Sequence, residues 1–308
     1  MRFTLRQLSY FVAAGETGSI TLASQRAHIS QPSISAAISQ LESQFGIQLF
    51  IRHHAQGLSL TPTGERFLDA ARQLLRHAND LHDFADEIAN RVAGPLRVGV
   101  FRTLAPLLMP ALMSQFLKQH PQVEFSLYEG DESELTTKLR SAELDIVISY
   151  DQPTTDVLFE PLARLPTYVL LPESHRFARR SSVPLAEVAT EPFVLLDLPI
   201  SREYFFSLFA RLSILPNIYV ASRQPETVRS YVAAGLGFSL LTAKPVNRRA
   251  LTGEGLAYVA LADDFPPMVL SVATLANVRP SRAASAYLEY LRQTVSDQNL
   301  PGMEGSGA

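Results

Sequence analysis

The chain contains no cysteine, which rules out a disulfide framework, a thiolate metal site and a cysteine nucleophile together. It also lacks any apolar run near the roughly 18 residues that a membrane-spanning helix requires. The opening residues Met1, Arg2, Phe3, Thr4 and Leu5 lead straight into an amphipathic pattern, without the apolar block and small-residue cleavage site of a secretory signal. These absences predict a cytoplasmic protein. Nor does any nucleophile motif, phosphate loop or metal-ligand spacing accompany Asp145, His120 or His175. His77 and His82 are five apart, which does not put them on one helical face. The expectation is a protein that is not an enzyme, with no metal and no cofactor.

Negative charge is scarce at one end. Residues 1–60 hold Arg2, Arg6, Arg26, Arg52 and three histidines against Glu16 and Glu42, within a chain whose formal net charge is -3. That basic excess is modest for a surface that meets phosphates. Nucleic-acid binding by this segment would therefore lean on neutral contacts, helix N-termini and pairing with a second copy. With 308 residues, of which 46% are hydrophobic, the chain is long enough for two or three folding units.

Helical spacing begins at once. Leu5, Leu8, Phe11 and Val12 share a face, and the run from Glu16 to Ser19 breaks it. Ser19 is placed to cap a second short helix with Ile20, Ala23 and Ala27 on one side. Ser30, Gln31, Pro32 and Ser33 then read as another helix start, with Ser30 capping and the proline in the first turn, where its missing N–H costs nothing. Ile34, Ile38, Leu41 and Phe45 form its buried stripe, and Gly46 stops it. Two short helices joined by a tight turn, the second opening on small polar residues, make a helix-turn-helix. Short apolar strands at 47–50 and 58–61 flank a natural wing at 52–57.

From Pro62 onward Phe67, Ala71, Leu74, Ala78, Leu81, Ala85 and Ile88 recur at alternating steps of four and three. That is a heptad seam, which predicts a long helix pairing with its copy through Phe67, Leu74, Leu81 and Ile88. A helix packed on its own domain is the other reading of the same stripe. After Gly94 and Pro95, short apolar strands alternate with helices, at 96–100, 123–128, 146–149, 168–171, 193–196, 218–220, 238–241 and 268–275. Such alternation predicts an α/β region with largely parallel sheets. The strands divide around 150–162 and again near Pro266 and Pro267, giving two lobes joined by two crossovers with a cleft between them.

The expected domains are 1–61 for the winged helix-turn-helix, 62–92 for the linker and dimerisation helix, 93–161 with 267–298 for the first lobe, and 162–266 for the second. Residues 299–308 are expected to form a disordered tail.

Over essentially its whole length the chain resembles the LysR-type transcriptional regulators. The resemblance is carried by Leu5-Arg6-Gln7-Leu8, Phe11, Ser19, Ala23, Ser30-Gln31-Pro32-Ser33-Ile34-Ser35, Ile38, Leu41-Glu42, Gly46, Leu49-Phe50, Arg52 and Leu60-Thr61-Pro62-Thr63-Gly64, then by the heptad helix and Gly94-Pro95-Leu96-Arg97-Val98-Gly99. It implies an all-α winged helix-turn-helix with a long linker helix, followed by a two-lobed α/β effector domain of periplasmic-binding-protein type, assembled as a dimer or homotetramer on double-stranded promoter DNA. RNA polymerase is the further partner such a regulator implies.

By matching position, Gln31, Pro32 and Ser35 would face base edges, while Ser33 and Arg52 would contact backbone or minor groove. The side chains suit those roles, since glutamine can pair with adenine through both its donor and acceptor and proline can touch a thymine methyl. His53, in a wing one residue longer than usual, is a further DNA candidate. The effector would sit between the lobes, with Arg102, Thr103, Glu132, Tyr150, Ser201, Arg202 and Thr227 as candidate contacts. Glu132 stands where the family usually has serine or threonine; in the cleft it would repel a small carboxylate unless Arg102 or Arg202 compensated, which opens a nitrogen-bearing effector, and the other reading is that it simply points to solvent. Ala27 and Thr242 also depart from the family pattern, the latter replacing a proline, and both changes are expected to touch packing more than function. The α/β lobes alone would equally suit a solute-binding module of a transport or sensing system. Such modules are exported, and no signal sequence is evident.

Overall fold

The computed structural model describes residues 3–53, 57–88, 92–152, 155–276 and 278–305, with the backbone alone for 79–88. The chain divides into two compact units, Met1–Ala93 with Arg140–Leu144, and Gly94–Leu139 with Asp145–Ala308.

The first unit comprises α1 (Leu5–Thr17), α2 (Ile20–Ala27), α3 (Gln31–Phe45), β1 (Phe50–His53), β2 (Gly57–Leu60) and α4 (Pro62–Ile88). Thr4 opens α1 with a reciprocal cap. Its hydroxyl accepts the Gln7 N–H, and the Gln7 side-chain oxygen accepts the Thr4 N–H at 2.8 Å. The Ser19 hydroxyl caps α2 by accepting from the Leu22 N–H. Leu8, Phe11 and Ala14 of α1 pack with Ala23 of α2 and with Ile34, Ile38 and Leu41 of α3 in one apolar core. Phe45, the last residue of the expected α3 stripe, is instead 42% exposed and meets the Phe3 ring at a tilt and the Phe67 ring edge-on. Ser30 holds the N-cap position of α3, but its hydroxyl caps nothing; it shares a 2.9 Å hydrogen bond with the Ser33 hydroxyl.

The start of α4 belongs to this core, which corrects the heptad reading at its first position. Phe67 meets Phe11 and Phe45 edge-on, at centroid distances of 5.3 and 5.0 Å, while Leu68 and Ala71 are buried beside it. The cause is Gly64, which brings α4 against the backbone of Leu49 so closely that a Cβ would meet its carbonyl oxygen at 2.1 Å. With the helix docked that tightly, its first two turns face the chain's own domain. Leu74, 39% exposed, is the next seam residue. The side chains of Leu81 and Ile88 lie outside the described residues.

The second unit runs β3 (Gly94–Phe101), α5 (Ala105–Gln119), β4 (Val123–Gly130), α6 (Glu132–Arg140), β5 (Ile146–Tyr150), β6 (Val157–Leu165), β7 (Tyr168–Pro172), β8 (Ser182–Val183), α7 (Leu185–Val188), β9 (Phe193–Leu196), α8 (Pro199–Arg211), β10 (Ile218–Ser222), α9 (Pro225–Ala233), β11 (Ser239–Leu241), β12 (Leu256–Leu261), β13 (Met268–Leu275) and α10 (Arg282–Thr294). One lobe is built on a five-stranded sheet in the order β4-β3-β5-β13-β6. The other carries a four-stranded sheet, β11-β7-β12-β8, and the pair β10-β9. A parallel bridge between Phe193 and Phe238 links those two pieces.

The sheets are mixed, not largely parallel. In the first lobe β3 runs parallel to β4 and β5, whereas β13 runs antiparallel to both β5 and β6. The reversal arises because the chain leaves this sheet along β6 and returns along β13 from the other lobe. Residues 157–165, expected to lie mostly in a crossover, are thus a strand, and the chain changes lobe at 166–167 and again between Leu261 and Met268. Those two passages are neighbours, since Met268 pairs with Leu165. Tyr150 ends β5 and is not in a crossover.

The expected disordered tail is also corrected. Leu300 and Met303 are buried, Met303 bridges Pro245, and the described chain stays packed through Gly305. The polar composition of 299–308 concealed two apolar anchors.

Candidate functional site

At the start of α3, Gln31, Pro32 and Ser33 are all exposed and Ser35 is half-buried, while Ile34 and Ile38 one step away are in the core. The helix therefore offers one polar edge to solvent with its orientation fixed by the other. A hydrogen bond from Gln7 Nε2 to Gln40 Oε1 at 2.6 Å further ties α3 to α1. The wing pairs Arg52 with Leu58, and its base is pinned where the Leu58 N–H donates to the Gly18 carbonyl at 2.8 Å. Arg52 is exposed on β1. His53, also exposed, shares a 2.7 Å hydrogen bond with the Ser59 hydroxyl across the hairpin. His54 and Gln56, the remaining wing candidates, lie outside the described residues.

In the second unit a cavity of about 350 Å3 opens at the carboxyl ends of β3, β5, β9 and β11. Ligands of open α/β sheets gather at that end of the strands because the helices that follow direct free N–H groups there. Three such helices contribute. α5, α8 and α9 each carry proline in the first turn and have no side-chain cap, and Pro106, Ser201 and Pro225 from those turns line the cavity. Their dipoles favour a negative group.

Arg102, Thr103, Tyr150 and Ser201 are therefore brought together, two on the β3–α5 turn, one at the end of β5 and one on α8. Thr103 is only 7% exposed, and its hydroxyl lacks a hydrogen bond of normal geometry, although it lies near enough to the Tyr150 hydroxyl to influence its ionisation. A buried hydroxyl without a well-formed hydrogen bond costs free energy that a polar ligand group, donor or acceptor, would recover. Tyr150 is held 3.1 Å from the Thr242 hydroxyl, and burial pushes its pKa up, so the phenol keeps its proton. Arg102 donates to Glu134 at 3.3 Å while its Nε is buried without a partner.

Glu132, Arg202 and Thr227 do not line this cavity. Glu132 turns into the first lobe, where its carboxyl accepts hydrogen bonds from Ser149 and Thr136, and burial raises its pKa. It starts α6, and a side chain there follows the helix face into the sheet. Arg202 points outward, pairing with Asp197 at 3.1 Å over the Phe206 ring. Thr227 is half-buried on α9, next in the chain to the cavity-lining Glu226.

A model described as the bacterial regulatory helix-turn-helix protein, lysR family, matches residues 5–65, and one described as the LysR substrate binding domain matches 89–296. The chain belongs to the LysR family of transcriptional regulators. Among curated relatives of this regulator, the DNA-binding transcriptional dual regulator OxyR of Escherichia coli is 31% identical over 244 residues, covering 79% of this chain and 80% of its own. Among solved structures, HinK, a LysR family transcriptional regulator from Pseudomonas aeruginosa, is 38% identical with a TM-score of 0.65, covering 96% of this chain and 99% of its own. A full-length point variant of OxyR from the same species is 28% identical with a TM-score of 0.74, covering 94% and 98%.

Sequence reasoning missed part of this LysR-family cavity. Phe205, Leu107, Leu196 and Leu241 form its apolar wall, and nothing marks them in sequence apart from ordinary core residues. Thr242 also lines it and holds Tyr150, so the replacement of proline there reaches the site as well as the packing. Arg229 adds a cation that is only 2% exposed. Glu226, the Tyr258 hydroxyl and the carbonyls of Asn247 and Arg249 already take up its guanidinium, so it braces the wall and is not spare for a ligand. Among the described residues no group of acidic or histidine side chains is arranged to hold a metal, and no helix is long and apolar enough to cross a membrane.

Proposed function

We propose that this regulator reads promoter DNA with Gln31, Pro32 and Ser35 at the start of α3, with Ser33, Arg52 and His53 on the backbone, and that a small carboxylate with an apolar body is its effector. The single observation that carries the effector class is the Thr103 hydroxyl, buried without a normal partner in a cavity that three uncapped helix starts line together. Arg102 supplies the nearby cation, and Phe205 with the leucines receives the apolar body. Glu132 faces the interior and is not a source of repulsion, so Arg102 and the three helix starts have only Glu129 and Glu226, among the described residues of the cavity wall, to offset.

The protein acts in the cytoplasm as a dimer or tetramer without catalysing a reaction. Effector binding changes lobe closure, which alters the angle between DNA-binding pairs and so the bend of the promoter presented to RNA polymerase. A thermal-shift screen of small carboxylates against amines tests the effector class, because a ligand at a hundred times its dissociation constant stabilises by about 2.7 kcal/mol. Carboxylate shifts that vanish in Thr103→Val and Ser201→Ala are expected. Shifts with amines alone would overturn the class, and full-length protein that ignores the sequence of its own upstream DNA would overturn the regulator reading.

A further inference from the structure

After α10 ends at Thr294 the chain doubles back across the second unit. Ser296 and Asn299 bridge each other, and Asp297 Oδ1 accepts the Arg164 N–H at 2.6 Å on β6 of the first lobe. The buried side chains of Leu300 and Met303 then anchor a segment that meets both walls of the cavity. On the first-lobe side is Gly302, with φ of +72°, where a Cβ would come within 2.2 Å of the Leu107 carbonyl oxygen on α5. On the second-lobe side Met303 bridges Pro245, the Val246 N–H donates to the Gly302 carbonyl at 3.3 Å, and the Glu304 N–H donates to the Lys244 carbonyl at 2.8 Å. The Glu304 carboxylate closes the attachment by accepting two bonds from the Arg248 guanidinium, at 2.6 and 2.7 Å. Leu107 and Pro245 both line the cavity.

Two adjacent covalent passages, as at 166–167 and 262–267, leave a pair of lobes free to close or open about them. A third attachment elsewhere limits that freedom. We infer that residues 296–305 form a noncovalent strap between the lobes that sets their separation and positions the Leu107 and Pro245 walls, with Glu304 as its positioning residue. The consequence for ligand response rests on reading the cavity as the effector site, whereas the strap itself does not. Paired charges with two parallel bonds hold direction better than neutral ones, and the buried Leu300 and Met303 supply the apolar grip. Any ligand that changes lobe closure works against this strap, so its strength sets how far the equilibrium moves.

The absence of cysteine makes the test clean. Spin labels on Lys118→Cys in α5 and Ala186→Cys in α7, both exposed sites, report the distance between lobes in the ligand-free full-length chain, diluted with unlabelled protein so that only intrachain pairs are read. The unaltered strap is expected to give one narrow distribution. A stop codon at Ser296, and separately Gly302→Val, should broaden it towards other separations, as should Glu304→Arg. Combining Glu304→Arg with Arg248→Glu should restore the narrow peak, which a merely destabilised lobe would not do. If the truncated chain fails to fold, the Gly302 and charge-swap variants decide alone. An unchanged distribution in Gly302→Val and Glu304→Arg would overturn the strap. Because no ligand is present, this outcome is independent of the carboxylate screen: a negative screen with a broadened distribution would sink the effector reading and leave the strap standing.

Discussion

Replacing Gln31 by alanine removes a donor and an acceptor from an exposed position that has no capping duty, whereas replacing Arg52 removes a charge from an exposed strand of the wing. The two losses should read differently. Gln31→Ala is expected to relax base preference at one operator position, for a cost of about 1–3 kcal/mol, and Arg52→Ala to weaken all sequences alike with a shallower salt dependence. Binding assays against an operator and its single-base variants separate them, and uniform loss in both would remove Gln31 from the base-reading set.

Glu132 gives a second test of the same grain. Its carboxyl is buried beside Ser149 and its pKa is raised, so the folded state holds its proton to higher pH than the unfolded chain. Stability is then lost as pH rises from the ordinary carboxylate value through the raised one. Glu132→Gln avoids that loss. The variant should gain in melting temperature relative to the unaltered protein as pH is raised from the ordinary carboxyl range upward; a gap that stays constant or narrows would mean that the carboxyl ionises freely.

At the scale of elements, legibility followed the physics of each signal. The α3 stripe of Ile34, Ile38 and Leu41 and the short apolar run Ile146, Val147 and Ile148 of β5 could be read directly, because burial imposes a period or a continuous run on the sequence. β6 could not. Its burial is irregular and it includes Pro161, which suits an outer strand at the sheet edge but resembles a loop in sequence. The tail was hidden for a related reason, since Leu300 and Met303 are too few to make a pattern. Of the cavity, the turn residues Arg102, Thr103 and Ser201 were legible from their place between strand and helix, while Phe205 and Thr242 depend on which elements meet in space.

The docking of α4 is the element whose geometry one residue controls most. Gly64→Ala would drive a methyl group into the Leu49 carbonyl, which is backbone and cannot swing aside. A destabilisation of about 1–3 kcal/mol is expected for the first unit, visible as an earlier transition in thermal unfolding. Unchanged melting would show that the turn at 61–64 can shift without cost.

Whether the whole molecule works as a pair depends on what remains of the heptad seam after its first turns are taken up by the core. Phe67 cannot serve as a probe, because its ring is wedged between Phe11 and Phe45 and an aspartate there would unfold the domain before it reported on assembly. Leu74 can, being 39% exposed one turn past the buried Ala71. Leu74→Asp combined with Leu81→Asp places like charges along the expected interface. If the seam pairs two copies, light scattering should show the mass of a single chain, the first unit should keep its melting transition, and affinity for a two-half-site operator should fall by about 10²–10⁴ towards that for one half-site, since linked sites gain that much from effective concentration. A variant that stays oligomeric would place the pairing surface elsewhere. One that becomes a single chain yet keeps its full operator affinity would mean that a lone α3 suffices despite the modest positive charge of residues 1–60.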